Sequence, residues 1–305
     1  MKQPIQEYMK HGVEQALHHF GYGIYRIGSN AQERTKGKGE TWISEPPPID
    51  PIWPLPRRSG GLSDVQIREQ FAKYDSWHYA YMFEGGLSFS ARHNIPGVLA
   101  DAPQRPLQRF RHFMPYLIAA NNGSLRGKRI LDIACNSGFW SIECALLGAE
   151  VVGFDGRAEL IEQAELVRSI VGLDNVQFRV LDFWDMSPQA PGGTFDIVLN
   201  LGILYHLTEP LKALELTKSI ARQHILLDTE VYPSREPIIK LRWEEPADIR
   251  NAIGSGIVAS SSKSSIDLML RHIGFAGWFE IPLRTTDMPR DYLDRERASW
   301  LIKVA

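Results

Sequence analysis

The run Ile130-Leu131-Asp132-Ile133, followed by Ala134-Cys135-Asn136-Ser137-Gly138, constrains this chain more than any other stretch. An apolar segment carrying one acid gives way to a loop of small and polar residues. An apolar-periodic segment from Ser141 to Leu147 follows. The pattern predicts a buried parallel strand, a loop and a helix, an arrangement that turns backbone N–H groups toward a ligand. A second strand candidate, Glu150 to Asp155, also ends in an acid. It lies about 23 residues after Asp132, near the offset at which a ribose-binding carboxylate follows the first turn of a nucleotide fold. The dinucleotide fingerprint G-x-G-x-x-G is not met, because Ala134, Asn136 and Phe139 stand where its glycines belong and Gly138 alone remains. The loop suits a nucleoside better than a pyrophosphate.

The segment Asp132 to Gly138 resembles motif I (D-x-G-x-G-x-G) of the class I S-adenosylmethionine (SAM) methyltransferases, and Gly153 to Asp155 resembles their second motif. Val176 to Phe183 resembles the third strand with its adenine-contacting acid, here Asp182. Phe195 to His206 resembles the fourth strand and the loop lining the active site. The resemblance runs from about Leu125 to Ala305. It implies an α/β fold, doubly wound around a mostly parallel seven-stranded sheet and preceded by an N-terminal helical and aromatic extension. It also implies SAM as cofactor, held by Asp132, Ala134, Cys135, Asn136, Gly138, Asp155, Gly156, Arg157, Asp182, Phe183, Asn200 and Leu201. Ala134 and Asn136 depart from the family's glycines, although Asn tolerates left-handed backbone angles better than most residues.

Hydrophobic residues make up 44% and charged residues 23% of the 305, ordinary values for a soluble globular chain. Lys and Arg number 34 against 36 acids, so the balance argues against a nucleic-acid or anionic-lipid partner. No apolar run is long enough to span a bilayer, and the N-terminus lacks the apolar core of a signal peptide. Cys135 and Cys144 are the only cysteines, too few for a disulfide framework or a zinc site. These features predict a cytoplasmic protein, with a small-molecule substrate as partner and no membrane association. A homodimer is compatible with them.

Two regions are expected. Residues 1–104 read as an N-terminal extension, with an amphipathic segment from Ile5 to Phe20, a proline-rich connector from Pro46 to Pro56, and a lid. Residues 105–305 read as the SAM-binding core. Ser63 is expected to cap a helix reaching Tyr74. Further helices are predicted over 105–121, 157–171, 209–222 and 263–273, a fifth strand over 224–230, and a terminal antiparallel pair at 278–283 and 299–304. An insertion at about 231–262 follows the fifth strand, where lids commonly form.

Asp155 is the strongest single candidate. It closes an apolar strand, and its carboxylate needs donors such as a ribose diol. The competing reading is a cap for the helix beginning near Arg157. Asp182 and Phe183 fit the edge and face of adenine, with a turn-forming Asp as the alternative. His206 suits a base near neutral pH or a structural imidazole. Tyr205, His206 and Glu230 are expected to form the catalytic mouth. Substrate contacts are assigned to Trp77, Tyr81, Tyr205, His206, Glu230 and Arg242, with the rings sealing out water. Glu230 and Asp228 could instead pair with Arg235 or Arg242. Asn200, Asp228 and Glu230 also admit a divalent metal, but a sulfonium donor needs none, and none is expected.

Methyl transfer to oxygen, nitrogen or sulfur of a small metabolite is the leading expectation. Trp77 to Tyr79, the Gly85-Gly86 turn and Asn94 to Gly97 resemble a segment preceding the core in methyltransferases related to the tRNA wobble-uridine carboxymethyl transferases. The same group shares the Gly202 to His206 loop. A tRNA-modifying enzyme is therefore the second reading, and a non-catalytic SAM-binding protein the third.

Overall fold

The computed structural model describes residues 42–93, 95, 102–245, 247–251, 253 and 256–305. The expected Ile5–Phe20 segment, and all of Asn94 to Gly97 except Ile95, lie outside the described residues. In chain order the elements are α1 (Asp64–Phe71), β1 (Tyr81–Phe83), β2 (Leu87–Phe89), α2 (Arg105–Ala120), β3 (Arg129–Ile133), α3 (Phe139–Leu146), β4 (Glu150–Asp155), α4 (Ala158–Val171), β5 (Val176–Val180), β6 (Phe195–Leu201), α5 (Pro210–Ile220), β7 (Ala221–Tyr232), β8 (Ile239–Trp243), β9 (Ile257–Ser262), α6 (Lys263–Ile273), β10 (Gly277–Glu280), α7 (Arg290–Leu293) and β11 (Arg297–Lys303). Single 3-10 turns follow β5 at Phe183–Asp185 and β6 at Leu204–His206.

Seven strands lie in the order β10-β11-β7-β6-β3-β4-β5. β3 pairs in parallel with β4 and β6, β4 with β5, and β6 with β7, while β11 and β10 close the sheet antiparallel. The chain winds outward from β3 to β5 and then returns to place β6 on the other side of β3. That reversal opens a crevice at the carboxyl ends of β3 and β6, the usual ligand position in such sheets. The strands read as near-continuous apolar runs because helices cover both faces. One core cluster includes Ile130, Ile142, Val167 and Leu199, and the other includes Leu131, Val198, Leu214 and Leu270.

The insertion after β7 is a β-ribbon. β9 continues the sheet beside the end of β7, pairing Val231 with Ser261, and β8 pairs antiparallel with β9. Among the described residues this brings the sheet to nine strands. The described residues belong to one compact unit, with hydrogen bonds such as Ile52 to Glu143 and Tyr81 to Ser137 joining the two sides of the expected border at residue 104. Ser63 caps α1 through a reciprocal box with Gln66, an interaction of about 0.5–2 kcal/mol. The proline-rich connector lies against the β1–β2 hairpin, where the Leu55 N–H donates to Met82 O at 2.8 Å and the Glu84 N–H to Leu55 O at 2.9 Å.

The connector is also fastened to α3. The Ile52 N–H donates to Glu143 Oε2 at 3.0 Å, and Glu143 is fully buried. Burial pushes the Glu143 carboxyl up to about 8. The folded protein therefore holds a proton there that the unfolded chain releases near its ordinary value. The resulting stability is complete below that ordinary value and is lost as the pH rises toward about 8, with a slope of at most ~1.4 kcal/mol per pH unit. Denaturant titrations between about pH 5 and 8 should show this decline, and Glu143→Gln should make it shallower, the buried Asp132 supplying part of what remains. Parallel wild-type and variant curves would contradict it.

Candidate active site

A cavity of about 630 Å³ opens at the carboxyl ends of β3, β4, β6 and β7, within the size range of small-molecule sites. Its nucleoside-facing end is lined by Ala134, Asn136, Asp155, Gly156, Leu181, Asp182 and Phe183. Ala134 and Asn136 both sit at φ 52, the left-handed region, so the motif I loop keeps the backbone shape that glycine would favour. Asp155 is 8% exposed. Its Oδ2 accepts from the Asn136 N–H and its Oδ1 from the Arg157 N–H, each at 3.1 Å. Burial pushes the Asp155 carboxyl up, while those backbone donors pull it back. Each oxygen retains acceptor capacity for a further donor, as a diol requires. The capping geometry is therefore present and leaves room for a ligand role. Asp182 behaves similarly, since Oδ1 accepts from Trp184 N–H at 2.8 Å while the residue stays exposed beside the buried Phe183 ring. The polar ends and apolar wall fit a nucleoside.

Several expected cofactor residues lie behind this wall. Asp132 is buried and accepts from Ser141 Oγ at 2.6 Å, with burial pushing its carboxyl up to about 7. Cys135 is buried beneath the loop. Gly138 is needed for packing: at φ 85, a Cβ there would meet Phe178 at 2.8 Å. Asn200 directs its amide to Thr217 on α5 at 3.4 Å, leaving Leu201 as the residue of that pair that lines the cavity. These four brace the loop and sheet from outside the cavity.

The other end is lined by Tyr205, His206, Glu230 and Arg242, brought together from β6, β7 and β8. Trp77 and Tyr81, expected to seal this mouth, do not line it. Trp77 stacks on Phe71 at 4.2 Å, and the Tyr81 hydroxyl donates to Ser137 O at 2.6 Å, bracing the motif I loop from behind. Rings this large gain more from full burial than from a half-wet lid. A bend at His78 and Tyr79 turns those two residues to the cavity instead. Glu230 is engaged by Arg242 and by Ser260 Oγ, the latter at 2.8 Å.

His206 is 5% exposed and its Nδ1 lies 2.8 and 3.0 Å from the two oxygens of Glu244, itself 9% exposed. An ionised carboxylate can only accept, so in the neutral ring Nδ1 carries the proton and Nε2 the lone pair. Glu244 lies in the insertion, 38 residues away, where no motif announced it.

The wall beside Tyr205 rests on a buried charge cluster. Asp228 Oδ1 accepts from Arg109 at 2.7 Å and from Arg297 at 2.6 Å, and Oδ2 accepts from Ser299 at 2.7 Å and from Tyr292. Burial alone would push this carboxyl up, but the two guanidiniums override it and hold Asp228 well below the usual carboxylate range. With Asp228 so engaged and Asn200 facing α5, the three oxygens weighed as metal ligands do not converge. No motif in the sequence singles out Arg109. Its place among apolar residues of α2 was the available sign of burial. Asp228→Asn should cost about 3–5 kcal/mol in denaturant unfolding by leaving two buried guanidiniums underpaired. A loss under about 1 kcal/mol would refute that reading of the cluster.

Residues 124–241 match the sequence profile of a methyltransferase domain family. The tRNA U34 carboxymethyltransferase of Helicobacter hepaticus is 30% identical over 137 residues, covering 42% of this chain and 43% of that protein. The ubiquinone biosynthesis O-methyltransferase of Xanthomonas campestris pv. campestris is 33% identical over 123 residues, covering 40% and 50%. The chain thus spans about half the length of the curated relatives it matches. The N-terminal domain of EvdMO1, solved in the presence of SAH and D-fucose, superposes with a TM-score of 0.62 at 23% identity, covering 81% of this chain and 98% of that one, an agreement in fold. Residues 124–241 therefore match a methyltransferase domain, and the sheet that contains them agrees in fold with that solved domain.

Proposed function

We propose that this protein transfers the methyl group of SAM to a hydroxyl or amine of a small polar metabolite. The observation that carries the reading is the shared enclosure of Asp155 and the His206–Glu244 pair. SAM, when bound, supplies an activated methyl carbon. The chain's tasks are then to align the acceptor, exclude water and receive a proton. Nε2 of His206 would accept the proton of an acceptor hydroxyl as its oxygen bonds to the methyl carbon and the methyl–sulfur bond breaks with S-adenosylhomocysteine leaving, or would take the proton of an ammonium beforehand so that its nitrogen has a free lone pair. Glu244 holds the ring in the required tautomer and offsets the imidazolium charge. Tyr205 stays protonated, because burial pushes its hydroxyl up against the opposing pull of Arg297. It lines the wall as a hydrogen-bonding ring.

The relatives named as tRNA U34 carboxymethyltransferases favour a second reading, a nucleic-acid acceptor. Charge supports the first. The cavity wall carries six arginines against seven carboxylates, several of them paired to one another, which is no funnel for phosphates.

A panel of hydroxylated and amino metabolites, with bulk tRNA alongside, should be tested for uptake of a labelled methyl group. Label is expected in a small molecule and absent from tRNA; label in tRNA alone would overturn the proposal. His206→Ala should lower kcat by about 10²–10⁴-fold and remove the acidic limb of the pH–rate profile. A small loss with the limb intact would show that His206 is not the base.

A further inference from the structure

The insertion places Glu244 on His206, and the same segment is gripped at its far side by a residue of the nucleoside end. Arg157 follows the Asp155-Gly156 pair, and its backbone N–H already donates to Asp155. Its guanidinium reaches across to three carbonyls of one turn: Asn251 O at 2.5 Å, Ile249 O at 3.3 Å and Asp248 O at 3.4 Å. Arginine's rigid, multi-donor fork suits such a grip, which a point cation reproduces only partly.

The turn is stiff. Asn251 Nδ2 donates to Glu245 O at 2.8 Å, the Asn251 N–H to Asp248 O at 3.0 Å, and the Ala247 N–H to the Glu245 carboxylate at 3.1 Å. Arg250 forms a fork on Asp248, and Asp248 and Ile249 are buried. On its other flank the Glu244 N–H donates to Gly256 O at 2.9 Å, fixing the start of the turn to the residue that precedes β9. A Cβ on Gly156 would meet Ile253 at 2.6 Å, so the insertion also sits directly on the backbone beside Asp155. Displacement of the carbonyls held by Arg157 is therefore transmitted to Glu244 rather than absorbed within the turn.

We propose that Arg157 is a positioning residue for His206, acting through the hydrogen-bonded turn of Glu245 and residues 247–251 to hold Glu244 against the imidazole. The inference rests on the proposed role of the His206–Glu244 pair, and it links the nucleoside end of the cavity to the acid–base end. Arg157, expected from sequence to contact cofactor, lines the cavity and directs its guanidinium to the turn.

The test uses full-length ¹⁵N-labelled protein without added cofactor, so its outcome is independent of whether SAM binding or methyl transfer is found. The His206 Nδ1–H, buried against a carboxylate, should give a slowly exchanging downfield proton signal, assigned by its loss in His206→Asn. Arg157→Ala should abolish this signal and speed trypsin cleavage after Arg250 by at least about tenfold, since local opening sets access to the bond. Arg157→Lys should recover part of both. Asn251→Ala, which breaks the turn without touching α4, should reproduce the loss of the signal and supplies the test if Arg157→Ala does not fold. Retention of the signal and of protease resistance in folded Arg157→Ala, or of the signal in Asn251→Ala, would overturn the proposal.

Discussion

The carboxylate of Asp228 is the point on which the acceptor half of the cavity depends. It sits fully buried in the middle of β7 and receives Arg109 from α2, Arg297 and Ser299 from β11, and Tyr292 from α7. A buried charge is tolerable only with this degree of pairing, and breaking one member exposes the rest to the full cost of desolvation. The cluster thereby fixes α2 and the terminal strands against β7. It also orients the wall behind Tyr205, whose ring lies under the Arg297 guanidinium at 5.4 Å. A second link from Arg105 to Asp291, with two hydrogen bonds of 2.9 and 2.6 Å, extends the same framework to the rim.

The remaining half is built on backbone shape. Two left-handed residues, Ala134 and Asn136, turn the β3–α3 loop so that the Asn136 N–H meets Asp155. Tyr81 supports that loop from below through Ser137, which explains why the aromatic extension is packed as core. The β8–β9 ribbon then closes over both halves, contributing Glu244 and Arg242 to one and the Arg157-held turn to the other.

The parallel strands, their order of use and the Asp155 end were legible in sequence because each depends on local pattern: apolar runs, one terminal acid, a loop of small residues. Helix ends at Ser63 and Lys263 were legible for the same reason. The acceptor end was legible only in part. Tyr205 and His206 follow a strand end, but their partners do not. Glu244 lies in a segment without a recurring pattern, and Arg297 meets Asp228 across 69 residues. Pairing of Asp228 and Glu230 with Arg235 or Arg242 was one expected alternative; Glu230 does meet Arg242, whereas Asp228 meets Arg109 and Arg297, which no local pattern indicates. The aromatic run around Trp77 misled because burial and lid formation call for the same residues, and only packing against Phe71 separates them.

Calorimetry with S-adenosylhomocysteine tests the cofactor site most directly, comparing wild type with Asp155→Ala. Binding in the micromolar range, about −7 to −8 kcal/mol, is expected for the wild type. The variant should lose about 1–3 kcal/mol through the unpaired ribose hydroxyls. No binding by the wild type, or equal affinity in both proteins, would contradict the assignment of this cavity to SAM.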